Sequence, residues 1–149
     1  MGEPSLRERA LRHLARREHS RAELARKLGA HGEADEVDAV LDRMNELGLL
    51  SDQRFAEAWV RGKAARFGSS RLRNELARRG IAPALIDDAL ASACPDDEAE
   101  RARAVWRAKF GSAPADAREW ARQARFLQTR GFAPDIIRKL LKEVPDESA

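Results

Sequence analysis

Glu75-Leu76-Ala77-Arg78-Arg79-Gly80-Ile81-Ala82-Pro83-Ala84-Leu85-Ile86 returns 51 residues later as Phe126-Leu127-Gln128-Thr129-Arg130-Gly131-Phe132-Ala133-Pro134-Asp135-Ile136-Ile137. The shared pattern, Leu-x-x-Arg-Gly-apolar-Ala-Pro-x-apolar-Ile, reads as a helix end, a turn and the start of another helix. Gly stops the first helix, and Pro sits in the first turn of the second, where its missing N–H goes unused. A third copy, Glu23-Leu24-Ala25-Arg26-Lys27, lies 52 residues before Glu75-Leu76-Ala77-Arg78-Arg79, and Arg66-Phe67-Gly68 resembles Lys109-Phe110-Gly111. Self-similarity at a fixed period points to a tandem array.

Outward from this repeat, the periodicity is helical. Val37, Val40, Leu41, Met44 and Leu47 fall at three- and four-residue spacing, as do Leu85, Ile86, Ala89, Leu90 and Ala93, and Ile136, Ile137, Leu140, Leu141 and Val144. No stretch alternates as a strand would, so the class is all-α. Ser5, Ser20, Asp97 and Asp116 each stand three residues before a Glu (Glu8, Glu23, Glu100, Glu119), the signature of a capped helix start. Gly29, Gly48, Gly68, Gly80, Gly111 and Gly131 mark stops. These signals predict nine short helices over 5–17, 20–29, 34–47, 52–67, 70–79, 82–93, 97–110, 116–130 and 133–143.

Nine helices in three groups of three give three tandem helix-turn-helix-like modules, 1–50, 51–95 and 96–149. Small modules joined by short linkers favour an elongated, curved molecule. Trp59, Trp106, Trp120, Phe55, Phe67, Phe110 and Phe126 lie on apolar helical stripes and are expected to anchor cores.

The 149 residues carry 28 Lys plus Arg against 25 Asp plus Glu, a net of +3. Arg outnumbers Lys 23 to 5 beside 28 Ala, an excess that base composition alone produces, so Arg abundance by itself carries no functional weight. Its placement does. The net is +5 over 7–27, −6 over 33–52, +6 over 54–79, −6 over 87–100 and +6 over 101–130. Basic blocks at repeat spacing suit a long polyanion or an acidic protein groove.

Catalytic signatures are missing. Gly62-Lys63 lacks the rest of a phosphate loop. His13, His19 and His31 stand in polar contexts and are expected on the surface. Asp87-Asp88 and Asp96-Asp97 are adjacent pairs, which do not converge on a helix, and the latter reads as a helix start after Pro95. One cysteine, Cys94, cannot form an internal disulfide. No apolar run has the length of a signal peptide core or a membrane span. The expectation is a cytoplasmic protein, not an enzyme, without metal or cofactor.

The stretch Leu50-Ser51-Asp52-Gln53-Arg54-Phe55-Ala56-Glu57-Ala58-Trp59-Val60-Arg61-Gly62-Lys63, with Gly68, Arg71-Leu72-Arg73, Glu75-Leu76 and Arg79-Gly80-Ile81, resembles the signature of the RecX regulatory proteins. The likeness extends outward to His19-Ser20, Glu23-Leu24 and Arg26-Lys27-Leu28, and to Arg125-Phe126-Leu127 with Arg130-Gly131-Phe132. Ser51 stands where the family commonly has Asp, and Ser caps a helix equally well. The resemblance implies a small bacterial modulator of three-helix repeats that binds the RecA recombinase filament. It implies inhibition of ATPase, strand exchange and co-protease activity, with weak DNA binding in several members; the chain itself is expected to be a monomer.

On this reading the partner- or DNA-contacting residues are Arg61, Lys63, Arg66, Arg71, Arg73, Arg78 and Arg79, with Arg26, Lys27, Arg122, Arg125 and Arg130 as outer-module counterparts. Phe55, Leu72, Leu76, Gly80 and Ile81 belong to module structure. Arg54 beside Asp52 fits an intramodule ion pair or a partner contact. The alternative is a stand-alone helix-turn-helix DNA-binding array, in which Arg79-Gly80-Ile81 and Arg130-Gly131-Phe132 precede recognition helices. Its weakness is that 82–93 carries Asp87 and Asp88 and no cation, the wrong charge for a major groove.

Overall fold

The computed structural model describes residues 2–94 and 97–143; Pro95, Asp96 and Val144, which figure in the expectations above, lie outside it. Among the described residues the chain forms nine helices and no strand: α1 (Leu6–Arg16), α2 (Arg21–Leu28), α3 (Ala34–Glu46), α4 (Asp52–Lys63), α5 (Ser69–Arg78), α6 (Pro83–Ala93), α7 (Glu98–Lys109), α8 (Ala117–Thr129) and α9 (Pro134–Glu143). The all-α class read from the sequence holds, and eight of the nine spans agree to within about a residue at each end.

Local chemistry explains the starts. The hydroxyls of Ser5 and Ser20 accept the Glu8 and Glu23 amides at 3.1 and 3.0 Å, and the Asp116 carboxylate accepts the Glu119 amide at 2.8 Å. Asp97 also caps, though it takes the Ala99 amide at 3.0 Å instead of that of Glu100. Ser51 serves α4 by accepting the Arg54 amide at 3.1 Å. Each such bond satisfies one of the donors a helix N-terminus leaves without an intrahelical partner.

The span predicted over 52–67 is the one that fails: α4 ends at Lys63. The amides of Arg66 and Phe67 both turn back to the Lys63 carbonyl, at 3.0 and 3.1 Å. The Ala64 carbonyl accepts from Arg101 Nε at 2.8 Å, and the Phe67 carbonyl from the same guanidinium at 3.4 Å. Arg101 is buried, so a cation that charge counting assigns to the surface holds the α4–α5 turn. Two stop glycines also differ from expectation. Gly29 ends α2 in the right-handed region at φ −60°, and Gly68 lies five residues beyond the end of α4.

The described chain divides into two compact units, residues 1–59 with 76–89, and residues 60–75 with 90–149. In the first, α1, α2 and α3 pack on one another around Ala10, Leu24, Leu28, Val37, Leu41, Met44 and Leu50. In the second, α7, α8 and α9 do the same around Ala102, Trp106, Leu127, Phe132, Ile137, Leu140 and Leu141. Phe55 and Trp106 are buried as expected, whereas Trp120 is 37% exposed and anchors no core. Trp59, Phe67, Phe110 and Phe126 are half-buried. On the same helix Gln123, three residues on, is buried and accepts a hydrogen bond from Trp106 Nε1 at 2.8 Å, so a polar residue takes the inside place that the apolar pattern assigns to Trp120.

The repeated Arg-Gly turn has the same role in both units. In the first, Arg79 offers its carbonyl to the Ser20 hydroxyl at 2.9 Å, and a Cβ on Gly80 would stand 2.5 Å from the Cβ of Ala22. In the second, the Arg130 carbonyl accepts the Gly68 amide at 2.8 Å, and a Cβ on Gly131 would stand 2.3 Å from the Cβ of Arg71. Each turn thus lies against the beginning of a helix one repeat earlier, α2 or α5. Only glycine allows backbones that close, and both glycines have positive φ, 81° and 91°. The following residues, Ile81 and Phe132, are buried.

His19 contradicts its surface assignment: it is 1% exposed. Its Nδ1 lies 3.0 Å from the Arg17 carbonyl and its Nε2 2.8 Å from Lys27 Nζ. A carbonyl only accepts and an ammonium only donates, so the ring is neutral with its proton on Nδ1. Burial is the main force holding its pKa below the ordinary 6.5, with Arg17 and Lys27 adding repulsion and the Arg17 carbonyl opposing. His13, 5.6 Å away between ring centroids, is lowered in the same direction, again first by burial. A depressed imidazole stabilises the fold above its unfolded value, and that stability is lost as pH falls below 6.5 toward the folded value. The urea midpoint is therefore expected to drop between about pH 7.5 and about pH 5.5, above the range where carboxylates titrate, and to drop less in His19→Gln. A midpoint equal at both pH values in the unmodified protein would refute this.

Candidate functional site

The candidate site is built in the second unit by the α4–α5 turn, the start of α5 and the end of α8. The Phe67 ring, carried by the turn that Arg101 fixes, is surrounded by four of the expected contact residues. Arg71 lies over it at 4.1 Å, Arg66 and Arg130 at 5.4 Å, and Lys63 at 5.9 Å. A ring face attracts cations electrostatically, by about 0.5–2 kcal/mol each depending on exposure, which offsets part of their mutual repulsion. Glu75 offsets a further part, pairing with Arg71 at 3.2 Å and Lys63 at 3.9 Å. Arg71 also donates to the Thr129 carbonyl at 3.3 Å, so it serves packing as well as charge.

Beside this cluster lies a cavity of about 330 Å³ between α7, the α4–α5 turn and the end of α8. Ala65, Ala104, Val105, Ala108 and Phe126 line it, with Arg66, Lys109 and Arg130 on its rim. Arg130 and Lys109 stand 5.0 and 5.6 Å from the Phe126 centroid, and Phe126 meets Phe110 edge-to-face at 5.3 Å. Among the described residues, Arg66, Lys109 and Arg130 make no ion pair. Lys109 was not among the residues singled out from the sequence. Its correspondence to Arg66 in the Lys109-Phe110-Gly111 and Arg66-Phe67-Gly68 pair was the signal that could have found it.

The other sequence candidates do not join this cluster. Arg122 is exposed but paired: its guanidinium bonds Glu119 at 3.0 Å twice, and these bonds hold the Glu119 carboxyl below the ordinary carboxylate range. Arg125 and Arg73 are exposed on α8 and α5, and Arg61 on α4 borders a separate cavity with Cys94, Glu100 and Arg101. Arg26, Lys27, Arg78 and Arg79 belong to the first unit. There, Arg79 lies 3.9 Å over Trp59 and Lys27 is held by His19, while Arg26 and Arg78 are exposed. Arg54 is an intramolecular ion pair, but with Glu18 at 3.1 Å and not with Asp52. Asp52 instead accepts the Arg21 amide at 2.7 Å, tying the start of α4 to that of α2.

Among the described residues no group of three His, Cys, Asp or Glu side chains could hold a metal ion, and no helix is long and apolar enough to cross a membrane. The arrangement offers cations, an aromatic platform and an apolar cleft, the materials of a binding surface.

Comparison with known proteins accounts for the repeat. Family models described as the first, second and third three-helix domains of RecX match residues 7–44, 51–90 and 96–141. The regulatory protein RecX of Leptothrix cholodnii is 51% identical over 139 residues, 93% of this chain and 88% of its own. That of Herminiimonas arsenicoxydans is 45% identical, covering 93% of this chain and 91% of its own. The crystal structure of RecX from Lactobacillus salivarius superposes with a TM-score of 0.77 at 22% identity, over 93% of each chain, which establishes the shared fold. With three successive domain models covering most of its length and relatives this similar, the chain belongs to the RecX family of regulatory proteins.

Proposed function

We propose that this protein binds the RecA nucleoprotein filament in the cytoplasm and inhibits its recombinase, ATPase and co-protease activities, modulating homologous recombination, DNA repair and the SOS response. The observation that carries this reading is the gathering of Lys63, Arg66, Arg71 and Arg130 around Phe67, a basic surface formed where two repeats meet. A monomer with such a surface acts by differential affinity: if it binds one filament state more tightly, it shifts assembly or ATP turnover toward that state.

The stand-alone DNA-binding reading is weaker. Both Arg-Gly turns that would precede recognition helices are packed against the start of an earlier helix. Of the helices they precede, α6 carries Asp87 and Asp88 and no cation; α9 alone has suitable charge, in Arg138, Lys139 and Lys142, and there Arg138 is bonded to Asp135. Weak DNA contact alongside filament binding fits the exposed Arg61, Arg73, Arg78 and Arg125.

The deciding measurement is RecA ATPase on single-stranded DNA with substoichiometric added protein, beside direct DNA binding across a salt series. Inhibition is expected well below the amount that coats the DNA. Inhibition only at coating amounts would reduce the effect to competition for DNA. For residue-level tests, Arg78 and Arg66 are better targets than Arg71, whose reversal would also place a second carboxylate beside Glu75.

A further inference from the structure

The cleft beside Phe126 has a composition that narrows what it can hold. Its floor is alkyl, from Ala65, Ala104, Val105 and Ala108, and its rim carries Arg66, Lys109 and Arg130 with no acid paired to them among the described residues. Three cations without an ion-pair partner around an alkyl floor favour a ligand that is anionic at its edge and apolar at its centre.

We propose that this cleft receives one large apolar side chain from an acidic segment of the RecA filament, its flanking carboxylates meeting Arg66, Lys109 and Arg130. The inference rests on the filament-binding reading and assigns it a docking point. Two features favour a peptide over a nucleotide. Base stacking on single strands needs an accessible aromatic face. Here Arg71 covers the Phe67 ring at 4.1 Å, and Phe126 is flanked by Phe110, Arg130 and Lys109. The small alanines leave a cleft about 330 Å³ in volume, wide enough to admit a Leu, Met or Phe side chain with dispersion contacts to the walls it reaches. Arg66 and Lys109 also occupy corresponding places in the repeat, so the cleft is framed twice by the same local sequence.

The test uses the full chain, with binding to RecA filaments on single-stranded DNA read by fluorescence anisotropy. Ala108→Trp fills the floor and leaves the charge unchanged; Ala104→Leu does so with a smaller group, should the first variant fail to fold. Arg66→Glu with Lys109→Glu reverses the rim. All four positions are exposed, which favours retention of helicity in circular dichroism. Filling and rim reversal are each expected to weaken filament binding about ten-fold or more, while filling leaves affinity for a naked oligonucleotide within about two-fold. Filament affinity within about two-fold of the unmodified protein for both folded filling variants would overturn the proposal, leaving filament binding itself intact. Equal weakening by the filling variants toward filament and naked oligonucleotide would overturn it in favour of a nucleic-acid occupant. An unmodified protein that does not bind the filament would overturn the functional reading, and the occupant with it.

Discussion

Gly131→Ala is expected to destabilise the second unit by about 3–5 kcal/mol, the scale of a forced backbone shift added to left-handed strain. The backbone there has φ 91°, a region that L side chains rarely adopt. The new methyl would also lie 2.3 Å from the Arg71 Cβ and 2.6 Å from its amide nitrogen, atoms of a helix start that cannot swing aside as a flexible side chain would. Relief therefore requires the α8–α9 turn to withdraw, which breaks the 2.8 Å bond from the Gly68 amide to the Arg130 carbonyl. Gly48→Ala is the control. Its φ is 74°, but nothing lies within 4 Å of the added Cβ, so only the conformational cost of about 1 kcal/mol remains. Urea unfolding followed by circular dichroism reads both. Equal midpoints for the two variants would show that the close approach contributes nothing.

Trp106→Ala is expected to cost about 3–5 kcal/mol, the usual range for removing a large buried aromatic. The ring is 5% exposed in the cluster with Ala102, Leu127, Phe132 and Ile137. A second loss is specific to this site. Trp106 Nε1 donates to Gln123 Oε1 at 2.8 Å, and Gln123, 2% exposed, uses its amide hydrogens on the Ser112 carbonyl at 3.2 Å and on Glu119 at 3.3 Å. With the indole gone the amide oxygen stays buried and unpaired, at about 1–3 kcal/mol. Trp106→Phe isolates this part: it keeps most of the ring but removes the donor. A smaller loss for Trp106→Phe in a Gln123→Met background than in the unmodified protein would establish the coupling, and simple additivity would refute it.

How far the fold was legible depended on the range of the interactions that decide it. Ser5, Ser20 and Asp116 were readable as caps because each acts on an amide three residues away. The end of α4 was not. Nothing in Ala64-Ala65-Arg66-Phe67 forbids a helix, and the Ala64 carbonyl there is taken by Arg101, which is 37 residues away. His19 was misplaced for the same reason. Its neighbours Arg17, Glu18 and Ser20 are polar, yet a distant turn closes over that region through the bond from Ser20 to Arg79, 59 residues on. Of the candidate contact residues, four were brought to one ring, and others such as Arg122 and Lys27 were committed to intramolecular partners. Side-chain charge is visible in a sequence; whether the charge already has a partner is not.

By itself the sequence determined the helical class, the helix starts and the repeat, since these follow from periodicity and from groups within about four residues of one another. It also held the Arg-Gly motif whose recurrence marks the family. Only the tertiary structure decided what that motif does. It makes Gly131 a point of backbone contact with Arg71, sets Arg101 inside the protein, and leaves Arg66, Lys109 and Arg130 around an apolar cleft. The physical reason is that desolvation and ion pairing depend on which atoms come within a few ångströms of a group, and most of those atoms are supplied by distant parts of the chain.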